Sequence, residues 1–235
     1  MNKVKGNMYG FITHTWNPLS GKCNYDCQYC STKSFMRYPV IKEKYSGELR
    51  TNEKILNENL GTNNYIFVCA QNDIAPAPIK TIKQIFNACC NYHHNTYLIQ
   101  TKDPYKLFKK VIENDIGLPD NVIIATTIET DDNELLKKYS YAPNIQERIL
   151  GMHAWKQEFS FIKTMITIEP ILKIKDMQMF LSMIVSTQPM QINIGADSKK
   201  HNLIEPSKEQ IKELIEELKR YNIKLEYKEN LKRLL

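Results

Sequence analysis

Cys23, Cys27 and Cys30 stand at the spacing C-x3-C-x2-C within Lys22-Cys23-Asn24-Tyr25-Asp26-Cys27-Gln28-Tyr29-Cys30. Thiolates are the ligands iron–sulfur clusters take, and a cubane normally takes four. Three close cysteines with no fourth nearby leave one iron open to bind a substrate or a cofactor. The same thiols with His14 or another histidine would make an ordinary Cys3His zinc site, although zinc ligands more often come as C-x2-4-C with a distant second pair. Simple free thiols are the third reading. The other cysteines differ: Cys89 and Cys90 fall on an expected helix as core or half-buried residues, and Cys69 ends an expected strand.

The elements that must position this loop read as alternating strands and helices. Strands are expected over Tyr9–Thr15, Tyr65–Cys69, Thr96–Thr101, Val122–Ile128, Lys163–Ile168, Gln191–Gly195 and Ile223–Tyr227. Consecutive apolar runs such as Val122-Ile123-Ile124 fit strands buried on both faces. Helix starts are signalled by Pro78, by Asp103 before Pro104, by Ala142-Pro143, by Asp176, and by Ser207 with Gln210 as a capping box. The β-α-β-α order implies a parallel sheet with right-handed crossovers. Six or seven strands suit an incomplete (β/α) barrel, with a doubly wound open sheet as the alternative, and the cysteine loop follows the first strand directly.

The chain's 235 residues, 42% of them hydrophobic, can bury a sizeable core, and one domain over 1–235 is the simplest organisation. Mean hydropathy is −0.45, and no apolar run approaches the roughly 20 residues that span a bilayer. The basic first residues run into Tyr, Thr, His and Trp rather than an apolar stretch, so a cytoplasmic protein without a secretory signal is expected. In that compartment cysteines serve as ligands, nucleophiles or core residues rather than disulfides. The net charge of +6 permits an acidic partner such as nucleic acid, although the basic residues are dispersed.

Tyr29, the aromatic before the third cysteine, matches the pattern of the radical S-adenosylmethionine (SAM) superfamily. Thr15-Trp16-Asn17-Pro18-Leu19-Ser20-Gly21-Lys22-Cys23 resembles the T-W-N-P-x-x-G-C opening of a phage-associated radical SAM family of unassigned function, related to the spore photoproduct lyase branch. Leu98-Ile99-Gln100-Thr101-Lys102-Asp103-Pro104 resembles its L-x-x-T-K-x-P segment, and Ile166-Thr167-Ile168-Glu169-Pro170-Ile171 its S-x-E-P-L segment. The resemblance implies an α/β fold of radical SAM type, a partial (β/α)6-7 TIM-like barrel. It also implies a [4Fe–4S] cluster on Cys23, Cys27 and Cys30, SAM as second cofactor, and an external electron donor such as flavodoxin or ferredoxin. Tyr29 would lie beside the adenine. Asp73 stands where such proteins often carry a G-G-E-like loop for the SAM amino group, but the glycines are absent here.

Strand C-termini converge on one barrel face, so groups there can meet one ligand. Lys102 is expected to pair with the SAM carboxylate. Thr127 and Glu129 lie where ribose hydroxyls are often held, and strand alternation would put both on one face. Glu169 suits SAM or substrate binding, or an ion pair with a neighbouring lysine. Cys69 is the candidate hydrogen-atom donor to a substrate radical. Gly195, in Gly195-Ala196-Asp197-Ser198, would allow close backbone approach. His14 and Trp16 flank the cluster loop as shields or, for Trp16, as core, and His93-His94 reads as surface.

Three functions compete. The first is a radical SAM enzyme acting on nucleic acid or a nucleotide, with Tyr38, Lys42, Lys44 and Tyr45 against a phosphate backbone. The second is a radical SAM enzyme acting on a peptide or small metabolite. The third is a non-catalytic zinc-binding nucleic-acid module.

Overall fold

The computed structural model describes residues 1–4 and 8–235. In chain order its elements are β1 (Asn2–Lys3), β2 (His14–Trp16), β3 (Leu19–Ser20), α1 (Ser31–Phe35), α2 (Pro39–Lys44), β4 (Arg50–Thr51), α3 (Glu53–Leu56), β5 (Tyr65–Val68), α4 (Ile79–Asn91) and β6 (Thr96–Gln100). Then follow α5 (Pro104–Glu113), β7 (Val122–Thr127), α6 (Asn133–Lys137), α7 (Ile145–Glu158), β8 (Lys163–Ile168), α8 (Met177–Ser186), β9 (Gln191–Ile194), α9 (Lys208–Leu218) and β10 (Lys224–Tyr227). A 3-10 turn, Glu229–Leu234, ends the chain.

The fold is mixed α/β. Among the described residues eight strands form one sheet in the order β1-β2-β5-β6-β7-β8-β9-β10, and β3 pairs with β4 separately. All neighbours from β2 to β10 are parallel, and only β1 runs antiparallel, against β2. The order never reverses along the chain, whereas a doubly wound sheet has a switch point where it does. Successive right-handed crossovers then put the helices on one face. The two apolar clusters fit this. Ile66, Val68, Tyr97, Ile99, Ile124, Ile166 and Ile192 pack against helix residues such as Phe86, Leu107, Trp155, Phe180 and Leu214. The opposite face contributes Leu98, Ile123, Ala125 and Met165 to a second cluster, covered by Tyr9 and Ile12 rather than by a helix.

That second cluster explains a correction. The strand expected over Tyr9–Thr15 is instead the short His14–Trp16. The chain turns at Gly10 and Phe11, with the Ile12 amide donating to the Tyr9 carbonyl at 3.0 Å, and this folds Tyr9 and Ile12 onto the sheet.

The caps mostly follow the local chemistry. Asp103 accepts from Lys106 N at 3.0 Å with Pro104 beginning α5, and Asp176 accepts from Met179 N at 3.0 Å. Ser207 accepts from Gln210 N at 3.3 Å, but the Gln210 amide donates to the Ile174 carbonyl, so the expected reciprocal box does not form. The complete box is at α7, between Asn144 and Glu147. No helix among the described residues is long and apolar enough to cross a membrane.

Candidate functional site

The loop carrying Cys23, Cys27 and Cys30 joins β3 to α1 and is tied to three other parts of the chain. Gln28 N donates to Tyr139 O at 2.7 Å, and Tyr141 N donates to Tyr25 O at 2.9 Å, which fixes the loop against the segment after α6. The Tyr25 hydroxyl donates to Asp103 at 3.3 Å at the start of α5. Asn72 donates to Gly21 O at 2.9 Å, and Thr32 donates to Gln71 O at 3.0 Å, which adds the β5–α4 connection. Gly21 has φ of 91°, and a Cβ there would stand 2.0 Å from Glu48 O, so only glycine fits the entry to the loop. Asn17 caps the same junction, its Oδ1 accepting from Gln71 N at 3.1 Å.

All three cysteines line one cavity of about 460 Å3 at the C-terminal ends of the strands, a size that takes a small ligand. Tyr29, Cys69, Asp73, Lys102, Thr127 and Glu169 line it too, so the structure brings together every site residue expected from the sequence except Glu129. Burial, then the Asp73 carboxylate, then Cys27 and Cys30 push the Cys23 thiol up to about 12. A bound cation would deprotonate such a thiol. Cys27 is buried, with its sulfur 3.1 Å from Ser140 Oγ. Burial and Asp73 also raise the Cys69 thiol, and none of the three loop cysteines contributes to that shift. Cys69 adopts φ of 55°, uncommon outside glycine, which turns the chain at the end of β5.

Glu129 is fully buried beside the cavity lining, where one oxygen accepts from Arg148 Nη1 at 2.8 Å and the other meets Lys102 Nζ and the Tyr29 hydroxyl. Burial would raise its carboxyl, but Lys102 and Arg148 overcome that and hold it at about 2. Thr127 and Glu129 therefore do not present their side chains side by side to the cavity. Arg148 also donates to Thr127 O at 2.9 Å and to Pro143 O at 2.8 Å, and Lys102 Nζ reaches the Tyr29 oxygen at 3.1 Å. Asp73 accepts from Thr101 Oγ1 at 2.6 Å, Lys102 N at 2.8 Å and Ala75 N at 2.9 Å, and burial raises its carboxyl despite these bonds.

Glu169 accepts from Tyr9 at 3.1 Å and from Lys228 at 2.8 Å, the ion pair expected as one of its two readings. Gly195 makes this possible, since a Cβ there would lie 2.9 Å from the Glu169 carboxyl carbon. We expect Gly195→Ala to displace Glu169 and cost about 1–3 kcal/mol of stability by overpacking. Calorimetric unfolding of the two proteins checks this.

Other expectations shift. Thr15 lines the cavity, so its neighbours His14 and Trp16 face away from it by strand alternation. Trp16 is core, donating to Ile55 O at 2.8 Å, and His14 meets Thr13 at 3.0 Å rather than the cysteines. Among the described residues no three His, Cys, Asp or Glu side chains converge on a single ion. Tyr45 is buried with its hydroxyl on Gln71, so it offers nothing to a phosphate, whereas Tyr38 and Lys42 are exposed. Cys89 is core, but Cys90 is exposed. His93 and His94 are exposed, as expected. Arg148, Ser140, Tyr9, Lys228 and Gln100 were not foreseen. Arg148 and Ser140 sit in segments that read as ordinary helix and loop, while Gln100 lay in the T-K motif's strand, unremarked.

A family model described as "Protein of unknown function (DUF5131)" matches residues 8–147. The chain belongs to this family. The matched stretch of the DUF5131 family includes the three loop cysteines, Tyr29, Cys69, Asp73, Lys102, Thr127 and Glu129, and ends before Arg148 and Glu169. No curated protein is similar enough to match the chain.

Proposed function

We propose that this chain is a radical SAM enzyme built on an open, partial (β/α) barrel. The observation that carries the reading is that Cys23, Cys27 and Cys30, from one loop, share a cavity with candidate SAM-binding groups from four successive strand ends. The unreversed parallel order and the helices on one face support the partial barrel. The donor set fits a cubane with one open site: three thiols of one loop line one cavity, with Cys27 and Cys30 within electrostatic reach of Cys23 and none of the three acting on Cys69. When bound, the cluster supplies the electron that splits SAM into methionine and a 5′-deoxyadenosyl radical.

The chain's own residues bind and orient. Lys102 on the cavity wall, shared with the buried Glu129 that Arg148 also holds, pairs with the SAM carboxylate. Asp73 keeps unused acceptor capacity for the SAM amino group, and Thr127 offers its hydroxyl to the ribose. Tyr29 lies beside the adenine, held by Glu129. Glu129 is thus a positioning residue. Cys69, whose raised thiol stays S–H, is the hydrogen-atom donor. An external donor of the flavodoxin or ferredoxin kind supplies electrons. The substrate is a nucleic acid or nucleotide, in keeping with the net charge of +6.

Anaerobic reconstitution followed by metal and sulfide determination tests the cofactor. We expect about four irons with matching labile sulfide per chain. One zinc per chain without sulfide would overturn the reading.

A further inference from the structure

Ser140 follows α6 in a segment anchored by its own amide, which donates to Leu136 O at 3.0 Å. It is buried, as is Cys27, and the two side chains meet with Sγ 3.1 Å from Oγ. Backbone bonds bracket this contact on both sides: Gln28 N donates to Tyr139 O at 2.7 Å, and Tyr141 N donates to Tyr25 O at 2.9 Å. The cysteine loop and the segment after α6 are thus clamped together around the sulfur and the hydroxyl. What each atom holds gives the contact its direction. A hydroxyl has one proton and two lone pairs. Ala142 N donates to Ser140 Oγ at 3.1 Å and occupies one of those lone pairs. A cysteine that ligates a metal is a thiolate, with lone pairs and no proton to give. The serine proton then has the Cys27 sulfur as its acceptor.

We propose that Ser140 donates an O–H···S bond to the Cys27 ligand and thereby raises the reduction potential of the cluster. Reduction adds one negative charge, which the thiolate ligands share. A proton donor on one of those sulfurs therefore stabilises the reduced form more than the oxidised form. Hydrogen bonds to the sulfurs are among the features that set the potentials of such clusters. Burial strengthens the effect, because a hydrogen bond is electrostatically stronger in low-dielectric surroundings than in water. Ser140 lies outside the cavity lining, so it acts through Cys27 as a positioning residue and touches neither SAM nor substrate. Its hydroxyl eases electron uptake from the external donor. This inference rests on the [4Fe–4S] cluster proposed above.

Redox titration of the anaerobically reconstituted protein, read by EPR of the reduced cluster, tests this in the parent, Ser140→Ala and Ser140→Thr. Ser140→Ala is expected to keep its iron and sulfide but to lower the ratio of reduced to oxidised cluster about tenfold at a fixed potential. For one electron that is a fall of about 59 mV. Ser140→Thr keeps the hydroxyl and is expected to keep the parent's potential. A purely structural serine would change the melting temperature in Ser140→Ala and leave the potential where it was. An unmoved potential in Ser140→Ala, or an equal fall in Ser140→Thr, would overturn the proposal. Pulsed ENDOR of the parent's reduced cluster in H2O and D2O needs no variant, and it carries the test alone if Ser140→Ala does not fold or load its cluster. A proton coupled to the cluster should disappear on exchange, and its absence would overturn the proposal as well. A parent that assembles no iron–sulfur cluster would remove the radical SAM reading and this inference with it, whereas an unmoved potential in a loaded Ser140→Ala removes the inference alone.

Discussion

Cys23→Ser, Cys27→Ser and Cys30→Ser should each abolish the reconstituted cluster, with loss of its brown absorbance and at least a hundredfold loss of reductive SAM cleavage. On the proposed reading each thiolate would be one of three protein ligands to a cubane, and a hydroxyl is a poor substitute for sulfur. Cys69→Ser is the control. Cys69 lines the same cavity, but the three loop thiols do not contribute to its shift, so its loss should leave iron and sulfide content unchanged. Folding is not expected to confuse the comparison, because the loop is held by backbone bonds to Tyr139 and Tyr141 and by Asn72 and Thr32, and the Cys27 sulfur adds a contact to Ser140 that a serine hydroxyl can keep. Iron content and visible absorbance of the four variants, measured side by side, decide the matter. Retention of a full cluster by any of the first three would show that its cysteine is not a ligand.

The second large effect concerns stability. Glu129→Ala leaves Arg148, whose side chain is fully buried, and Lys102 without their carboxylate. Removing one partner of a buried pair costs about 3–5 kcal/mol, far more than the pair's net contribution. The pH dependence has a definite sign. Burial acts to raise the Glu129 carboxyl, yet Lys102 and Arg148 bring it to about 2, below its ordinary value of 4.5. A depressed folded-state value means the contribution is fully present above about pH 4.5 and is lost as pH falls towards 2. Glu129→Gln should therefore flatten the acid limb of the stability curve while also lowering the plateau at neutral pH. Urea unfolding between pH 2 and 7 measures both. An unchanged acid limb would show that Glu129 does not carry the linkage.

Much of this arrangement was legible in the sequence because it depends on local signals. Runs such as Tyr65-Ile66-Phe67-Val68 can hardly be anything but buried strand, and six of the seven expected strands agree with the structure to within a residue at each end. The cysteine spacing and the T-W-N-P, T-K and E-P motifs lie at strand ends, so knowing the strands was enough to gather their residues at one mouth. What was missed depends on contacts distant in sequence. The short helices α1, α2, α3 and α6, of four to six residues, are too brief for a 3.6-residue period to show. Tyr9 to Thr15 alternates like a strand, but burying Tyr9 and Ile12 against Leu98 and Met165 favoured a turn. Arg148 looks like a solvated helix residue until Glu129, nineteen positions earlier, is folded beneath it. Ser207 and Gln210 spell a capping box, but the Ile174 carbonyl competes for the glutamine.

Reductive cleavage of SAM is tested by incubating the anaerobically reconstituted protein with SAM and dithionite and measuring 5′-deoxyadenosine by chromatography and mass spectrometry. The parent protein is expected to form it and Cys27→Ser is not. A protein that carries its full cluster, takes up the electron and yet yields no 5′-deoxyadenosine from SAM would contradict the account.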